Sequence, residues 1–223
     1  MRLPISPRLS FNFAIPCHKK ENLWTKEAEL SWQKVGLNLE DKYILPQFNA
    51  LEGKQPPVEV RMAWDESGLA MAFIVTGKKR PLDCRVPLTD SGDSVQLWLD
   101  TRDMRQVHRA ARSCHQFAIF PTGGGRKLNE AVLLPVPIHL AKENPKNMEA
   151  SYYFTRSEIN TKGYILECVF PAESLTDFRP DDYPTLGIAW EIQDRDLGDI
   201  TLSAPSPAPF QSDPAFWCTL NLV

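Results

Sequence analysis

The densest chemistry in the sequence lies in Asp100-Thr-Arg-Asp-Met-Arg-Gln-Val-His-Arg-Ala-Ala-Arg-Ser-Cys-His115. Arg102, Arg105, Arg109 and Arg112 follow a 3-4-3 spacing, so a short helix would align them along one face. A row of planar guanidinium forks could grip a carboxylate, sulfate or phosphate through paired hydrogen bonds. The simpler reading, ranked slightly ahead, pairs these arginines with Asp100, Asp103, Asp194 and Asp196 to pin loops together. Against it, so many donors in one connection exceed what loop anchoring ordinarily needs. His108 and His115 could ligate a metal with Cys114 or Asp103. Their spacing is not that of a zinc protease, however, and the adjacent arginines would repel a cation. Within a strand, His115 reads as a packed, hydrogen-bonded side chain.

A second charged cluster, Asp194-Arg-Asp-Leu-Gly-Asp199, directly follows another strand-like segment. In a sandwich its strand end could lie beside the arginine-rich loop, and the sequence leaves open whether the two clusters meet. Asp194, Asp196 and Asp199 alternate loosely as in an EF-hand, without the downstream bidentate Glu. Carboxylates and loop carbonyls there could hold a calcium ion. Ion pairing with Arg195 and the neighbouring arginines is the preferred use.

Sugar recognition would need an exposed ring. Trp98 is the best candidate, because Val95, Leu97 and Leu99 claim the opposite face of its strand. It could equally be covered by the N-terminal segment, where Trp24 and Trp32 also need burial. Trp64, Trp190 and Trp217 read as core filling. Gln96, Glu167 and Glu191 make one face polar in three strands, either as a ligand surface or as a buried network. The candidate ligand contacts are therefore Gln96, Trp98, Asp100, Arg102, His108, Arg109, Arg112, His115, Glu191, Asp194, Arg195 and Asp196. No nucleophile elbow, zincin motif or phosphate-binding loop occurs in the sequence, and Thr122-Gly-Gly-Gly-Arg126 reads as a flexible hairpin turn. A catalytic pair of carboxylates stays open, since separation in space is invisible in sequence.

The elements that must position these groups are mostly strands. Val58-Glu-Val-Arg-Met-Ala-Trp64 alternates cleanly, Asp65-Glu-Ser-Gly68 turns, and Leu69 to Thr76 returns as the second arm of a hairpin. Further strands are predicted over 94–100, 115–121, 150–157, 164–170, 186–193 and 216–222. Ala172-Glu-Ser-Leu175 suits one helical turn, and helix is otherwise scarce. Residues 1–57 alternate weakly and are expected to wrap the sheet edges, with Leu3 to Ile15 adding a strand. The proline-rich run 204–214 must be an extended loop. The pattern predicts an all-β fold, a β-sandwich of two mainly antiparallel sheets with a jelly-roll or immunoglobulin-like character and little helix. A single domain is expected over 1–223, its core over 58–223.

Bulk properties narrow the function classes. A net charge of −3 on 223 residues gives no attraction to nucleic acid or anionic membrane. With 43% apolar residues the chain can bury a sizeable core without a staple. The 19 prolines against 11 glycines suit short strands with stiff connections. Five scattered cysteines lack any C-x-x-C pair and read as thiols of a reducing compartment, with no structural zinc. No signal-peptide-like or membrane-spanning apolar run is present in these residues, so a cytoplasmic location is expected.

Several segments carry a family resemblance. Gly92-Asp-Ser-Val-Gln-Leu-Trp-Leu-Asp100 is similar to the D-S-V-E strand of carbohydrate-binding module family 9 and its DOMON-like relatives. Trp64 to Phe73 resembles the hairpin preceding that strand. Gly163-Tyr-Ile-Leu-Glu-Cys-Val-Phe-Pro171 and Leu186-Gly-Ile-Ala-Trp-Glu-Ile-Gln-Asp194 look like the two that follow. The ordered set covers roughly residues 55–223, together with an uncharacterised bacterial branch sharing His108 to His115. The resemblance implies a β-sandwich whose concave face or rim holds a sugar between aromatic rings. It places Gln96 where sugar-binding members carry Glu, and Asp90 and Ala118 near positions of a clamping Trp and an Arg. Residues 197–208 hold no Trp for a second clamp. The resemblance also makes calcium an expected ion, and its haem-binding DOMON members would implicate Met71 or Met104 with His115. The leading expectation is a non-catalytic domain for a carbohydrate or related polar small molecule, needing no cofactor unless calcium binds. A cytoplasmic enzyme or sensor acting on an anion at the Arg/His/Asp cluster is one alternative. A structural or protein-binding role is the other.

Overall fold

Alternation of apolar and polar residues gives this chain two sheets with a shared interior. The computed structural model describes residues 13–48, 53, 57–89, 91–105, 108–146, 148–202 and 208–223. The described strands are β1 (Ala14–Cys17), β2 (Val58–Asp65), β3 (Gly68–Val75), β4 (Ser94–Asp100), β5 (Cys114–Gly124) and β6 (Glu130–Val136). They continue as β7 (Phe154–Asn160), β8 (Gly163–Pro171), β9 (Thr185–Gln193), β10 (Ile200–Thr201) and β11 (Cys218–Leu222). One sheet runs β1-β11-β9-β4-β5-β6 with β10 beside β9, and the other runs β2-β3-β8-β7. Every described pairing is antiparallel except β1 with β11. The expected β-sandwich is present.

The hairpin β2–β3 pairs Val58 with Val75 through Asp65 with Gly68, as its alternation predicted. Between the sheets lie Val60, Met62, Phe73, Val95, Leu97, Phe117, Ile119, Leu166, Phe170, Ile188 and Trp190, all at most 1% exposed. Trp190 meets Phe73 edge to face across that interface, as its place among inward residues of β9 implied. A full burial of this kind is worth about 1.5–3 kcal/mol per large side chain.

The N-terminal segment differs from its expected edge-wrapping role. Residues 26–35 form a helix, α1 (Lys26–Val35), begun by the Thr25 side chain accepting the Ala28 N–H and ended at Gly36 with φ +69°. Weak apolar periodicity concealed it, since Trp32 is its only buried residue. The helix and its flanks cover the outer face of the smaller sheet. There Leu23, Trp32, Leu37, Leu39 and Tyr43 pack on Ala63, Ala70, Ala72 and Val169. Three alanines on that face let the covering segment approach closely. Of the predicted strand over Leu3 to Ile15, residues 3–12 lie outside the described residues, and β1 begins at Ala14.

Smaller departures have local causes. β6, unanticipated because it contains Pro135, is an edge strand of its sheet, where proline is tolerated. β5 runs on to Gly124, so the turn falls at Gly125 to Leu128 rather than at the glycine triplet. The segment from Ala150 is a 3-10 turn over Ala150–Tyr152 before β7 starts at Phe154. Ala172–Ser174 forms the single helical turn expected there. Of the predicted proline-rich loop, residues 204–207 lie outside the described residues.

Candidate functional site

The outer face of the larger sheet is built by the outward residues of β9, β4 and β5. Register sets Glu191 opposite Gln96, Gln96 opposite Ala118, and Trp98 between Ala189 and Gln116. Ser94 pairs with Gln193 in the adjoining row. One half of this face is sealed: Trp98, Cys114, Ala189, Trp217, Phe210, Ala110 and Ile138 form a separate apolar cluster. The other half remains a cleft of about 360 Å³. Gln96, Trp98, Gln116, Glu191 and Gln193 line it from the strands. Val136 adds the end of β6, and Thr89, Pro137, His139, Gln211 and Ser212 line it from the flanking segments.

Trp98 is not the exposed ring that alternation suggested. It is 1% exposed, and Phe210 stands edge-on to it with centroids 5.4 Å apart. The cover comes from the C-terminal loop rather than from Trp24 and Trp32, which sit on the opposite sheet. Trp98 still lines the cleft, and its buried indole N–H has no hydrogen-bond partner among the described residues.

Gln96 is held in one orientation by a short relay. Its amide nitrogen donates to Ser94 Oγ at 3.3 Å and Thr89 O at 3.5 Å, and Ser94 Oγ donates onward to Gln193 Oε1 at 3.2 Å. The carbonyl Oε1 of Gln96 is thereby left buried and without a partner among the described residues. An unmatched buried acceptor or donor costs about 1–3 kcal/mol, and these two belong to residues that are next but one on β4 and both line the cleft. Glu191 accepts from Gln211 Nε2 at 3.3 Å. Burial raises its pKa above the ordinary carboxylate value and the charge of Asp199 adds to this, opposed by hydrogen bonds from Gln211 and Gln193.

The other predicted contacts are placed elsewhere. Glu167 points from the opposite sheet, where its carboxylate accepts the Leu37 N–H at 3.0 Å and pairs with Arg156. The polar face thus contains Gln96 and Glu191 but not Glu167. The arginine-rich segment forms no helix among its described residues, and its side chains diverge. Arg102 lies over the Tyr183 ring at 4.8 Å and donates to its hydroxyl. Arg105 pairs with Asp103, Arg109 donates to Leu140 O, and Arg112 pairs with Asp177. Asp100 organises this loop by accepting the N–H groups of Arg102 and Met104 and the Ser113 hydroxyl. His108 contacts Asp213 at 3.0 Å.

Nor does the Asp194 cluster lie beside that loop. Ser94 pairs with Gln193 and Asp100 with Gly187, so the two clusters flank opposite ends of β4, about 20 Å apart. The antiparallel register of β4 with β9 produces this separation. The expected pairing of the cluster's carboxylates with Arg195 and the loop arginines is not what the structure shows: Arg195 pairs with Asp83, and Asp194 with Lys78.

Calcium does not fit the predicted carboxylates. Asp194 Oδ1 accepts the N–H groups of Asp196 and Leu197, its Oδ2 meets the Lys78 ammonium, and Asp196 accepts the N–H groups of Lys79 and Arg80. While the lysine ammonium occupies Asp194 Oδ2 and N–H groups occupy Oδ1, this carboxylate has no oxygen to offer a hard cation. Among the described residues no group of three His, Cys, Asp or Glu side chains could hold a metal. Haem fares no better: His115 Nε2 accepts the Thr176 N–H at 3.0 Å, Met71 is enclosed in the core, and Met104 is exposed on the loop.

Comparison with known proteins adds the fold. No family model matches the chain, and no curated protein does. A carbohydrate-binding module of family 9 from Caldicellulosiruptor kristjanssonii, in complex with cellotriose, superposes with a TM-score of 0.59 at 12% identity, covering 94% of this chain and 93% of that one. A family 9 module from the same organism in complex with glucose gives 0.58 at 11%, covering 94% and 95%. The fold is that of carbohydrate-binding module family 9. The family 9 fold thus extends across the N-terminal segment as well as the strands whose motifs resembled it.

Gln116, Gln193, Gln211 and His139 are cleft residues that sequence reasoning passed over. Gln116 and Gln193 stand outward by the same alternation that places Gln96, and that parity could have found them. Gln211 and His139 reach the cleft from loops, and nothing in their local sequence signals it.

Proposed function

We propose that this chain is a non-catalytic carbohydrate-binding domain whose site is the cleft on the outer face of the larger sheet. The observation that carries the reading is the pair of buried, unpartnered atoms of opposite hydrogen-bonding sense, Gln96 Oε1 and the Trp98 indole N–H. A sugar hydroxyl both donates and accepts, and would satisfy such a pair. Amides at Gln116, Gln193 and Gln211 and the carboxylate of Glu191 extend the set. A few convergent polar groups in a partly apolar recess are what a small polar ligand requires. The binding of cellotriose and glucose by family 9 neighbours supports the same reading.

Charge narrows the ligand class. The described lining includes no Lys or Arg, while Glu191 is acidic, so neutral sugars fit better than uronic acids or sugar phosphates. Glu191 is also the one carboxylate among the described lining residues, which leaves paired-carboxylate hydrolysis without its second member. Calorimetric titration with neutral mono- and oligosaccharides tests the proposal. Binding that weakens about tenfold or more in Gln96→Leu supports it; absence of heat with every neutral sugar, or equal binding by the variant, overturns it.

A further inference from the structure

Lys78 lies within Gly77-Lys-Lys-Arg80, a run that in sequence looks like a solvated basic turn. Its side chain is instead 3% exposed, between the carboxylates of Asp93 and Asp194 at 1% and 0%. The ammonium is 2.6 Å from Asp194 Oδ2 and 3.1 Å from Asp93 Oδ2. Burial works against the charged ammonium. Its hydrogen bonds to Asp194 and Asp93, together with their charges, outweigh that and hold its pKa above the ordinary lysine value.

The two carboxylates also tie down the chain around them. Asp93 accepts the N–H groups of Asp83 and Arg195, and Asp194 those of Asp196 and Leu197. The Lys78 N–H donates to Lys162 O, adding the β7–β8 turn. Connections from both sheets therefore converge on two buried negative charges, and such a pair is strongly destabilising without a cation. A loop-bound divalent ion is one way to supply that charge. A lysine tethered to the chain is another.

We propose that Lys78 is the built-in cation of the Asp93–Asp194 site, so that this end of the sandwich is organised without calcium. The cleft begins one strand end away, at Gln193 and Thr89. Binding of sugar by the cleft is a separate matter, because this inference concerns charge balance in the fold.

The experiment uses the full chain in thermal unfolding, with a chelator or with millimolar calcium, alongside Lys78→Ala and Lys78→Met. Equilibrium dialysis with radioactive calcium accompanies it. The wild type is expected to bind no calcium, and its melting temperature to move by less than about 1 °C between the two conditions. Lys78→Ala opens a space beside the carboxylates; it should melt lower in chelator and recover at least half of that loss in calcium. If it does not fold in chelator, refolding in calcium reads the same rescue. Lys78→Met fills the space without charge and should not recover. Stoichiometric calcium on the wild type, a wild type destabilised by chelator, or a Lys78→Ala chain indifferent to calcium would each overturn the proposal.

Discussion

Gln96 on β4 and Glu191 on β9 stand directly opposite one another in the sheet, yet each turns to a different partner. Gln96 gives its amide hydrogens to Ser94 and Thr89, while Glu191 takes its hydrogen bond from Gln211. Between them the face of the sheet offers the Gln96 carbonyl, a carboxylate and, one residue pair along, an indole N–H. Neighbouring groups with such complementary demands can all be met by one hydroxylated ligand.

Removing the acceptor should separate binding from folding. Gln96→Leu keeps approximate size and deletes an oxygen that bonds nothing in the described fold. Sugar affinity is expected to fall about tenfold or more, the value of roughly 1.5 kcal/mol for a lost hydrogen bond, with a modest drop in melting temperature because the amide bonds to Ser94 and Thr89 go too. Titration calorimetry and thermal unfolding on the same samples read the two quantities. A large loss of stability with unchanged affinity would move the site elsewhere.

Binding should weaken in mild acid. Burial and the Asp199 charge raise the Glu191 pKa, so this carboxylate takes up its proton at a higher pH than a free glutamate does. As pH falls through that raised value, the residue loses an acceptor for a sugar hydroxyl, and affinity falls with it. In Glu191→Gln the affinity is expected to be lower at neutral pH and flat across the same range. An unchanged pH profile in the variant would remove Glu191 from the site.

How much of this was legible depends on which residues carried a pattern. The hairpin β2–β3 and strands β4 and β9 were readable because one face is buried and the alternation is clean. The β4 parity also placed Gln96 outward. Burial of Trp98 was one of two open readings, but its cover was not readable: Phe210 lies in the proline-rich run 204–214, which carries no alternation to say which face it packs on. Helix α1 escaped because only Trp32 on it is buried. Arg102, Arg109 and Arg112 misled through spacing, as their segment is not helical among its described residues and each finds its own partner. Lys78 was invisible because a lysine among lysine and arginine gives no sign of burial.

Trp98 should now act as a packing residue as well as a donor. Trp98→Ala removes a side chain that is 1% exposed and packed on Phe210, and is expected to cost about 3–5 kcal/mol of stability. Trp98→Phe keeps most of that contact while deleting the indole N–H, so it should lose affinity with a smaller stability loss. Denaturant unfolding alongside sugar titration distinguishes the two. Wild-type affinity in Trp98→Phe would show that the indole N–H does not meet the ligand.

The arginine-rich loop should be tolerant of change. Arg109 holds a single backbone carbonyl, and Arg112 is 55% exposed in its pair with Asp177. Exposed contacts of this sort contribute about 0–1 kcal/mol. Arg109→Ala and Arg112→Ala are therefore expected to melt within a few degrees of the wild type and to bind neutral sugars normally. A thermal shift on adding phosphate or a sugar phosphate, abolished by either substitution, would restore the anion-binding alternative.

His115 sets a pH dependence of folding that is separable from the cleft. Burial lowers its pKa from 6.5 to about 4, and its Nε2 accepts the Thr176 N–H, so the folded imidazole is neutral. In the unfolded chain the same ring takes a proton near pH 6.5. Between those values the unfolded state binds more protons, so stability falls as pH is lowered from about 6.5 towards about 4, then levels off. The window corresponds to roughly 3 kcal/mol at its full extent. His115→Gln has no such titration. Its stability deficit relative to the wild type is expected to shrink progressively from pH 7 to pH 4 in urea unfolding. A deficit that stayed constant over that range would mean that the buried ring is protonated in both states or in neither, and that other groups set the acid sensitivity of the fold.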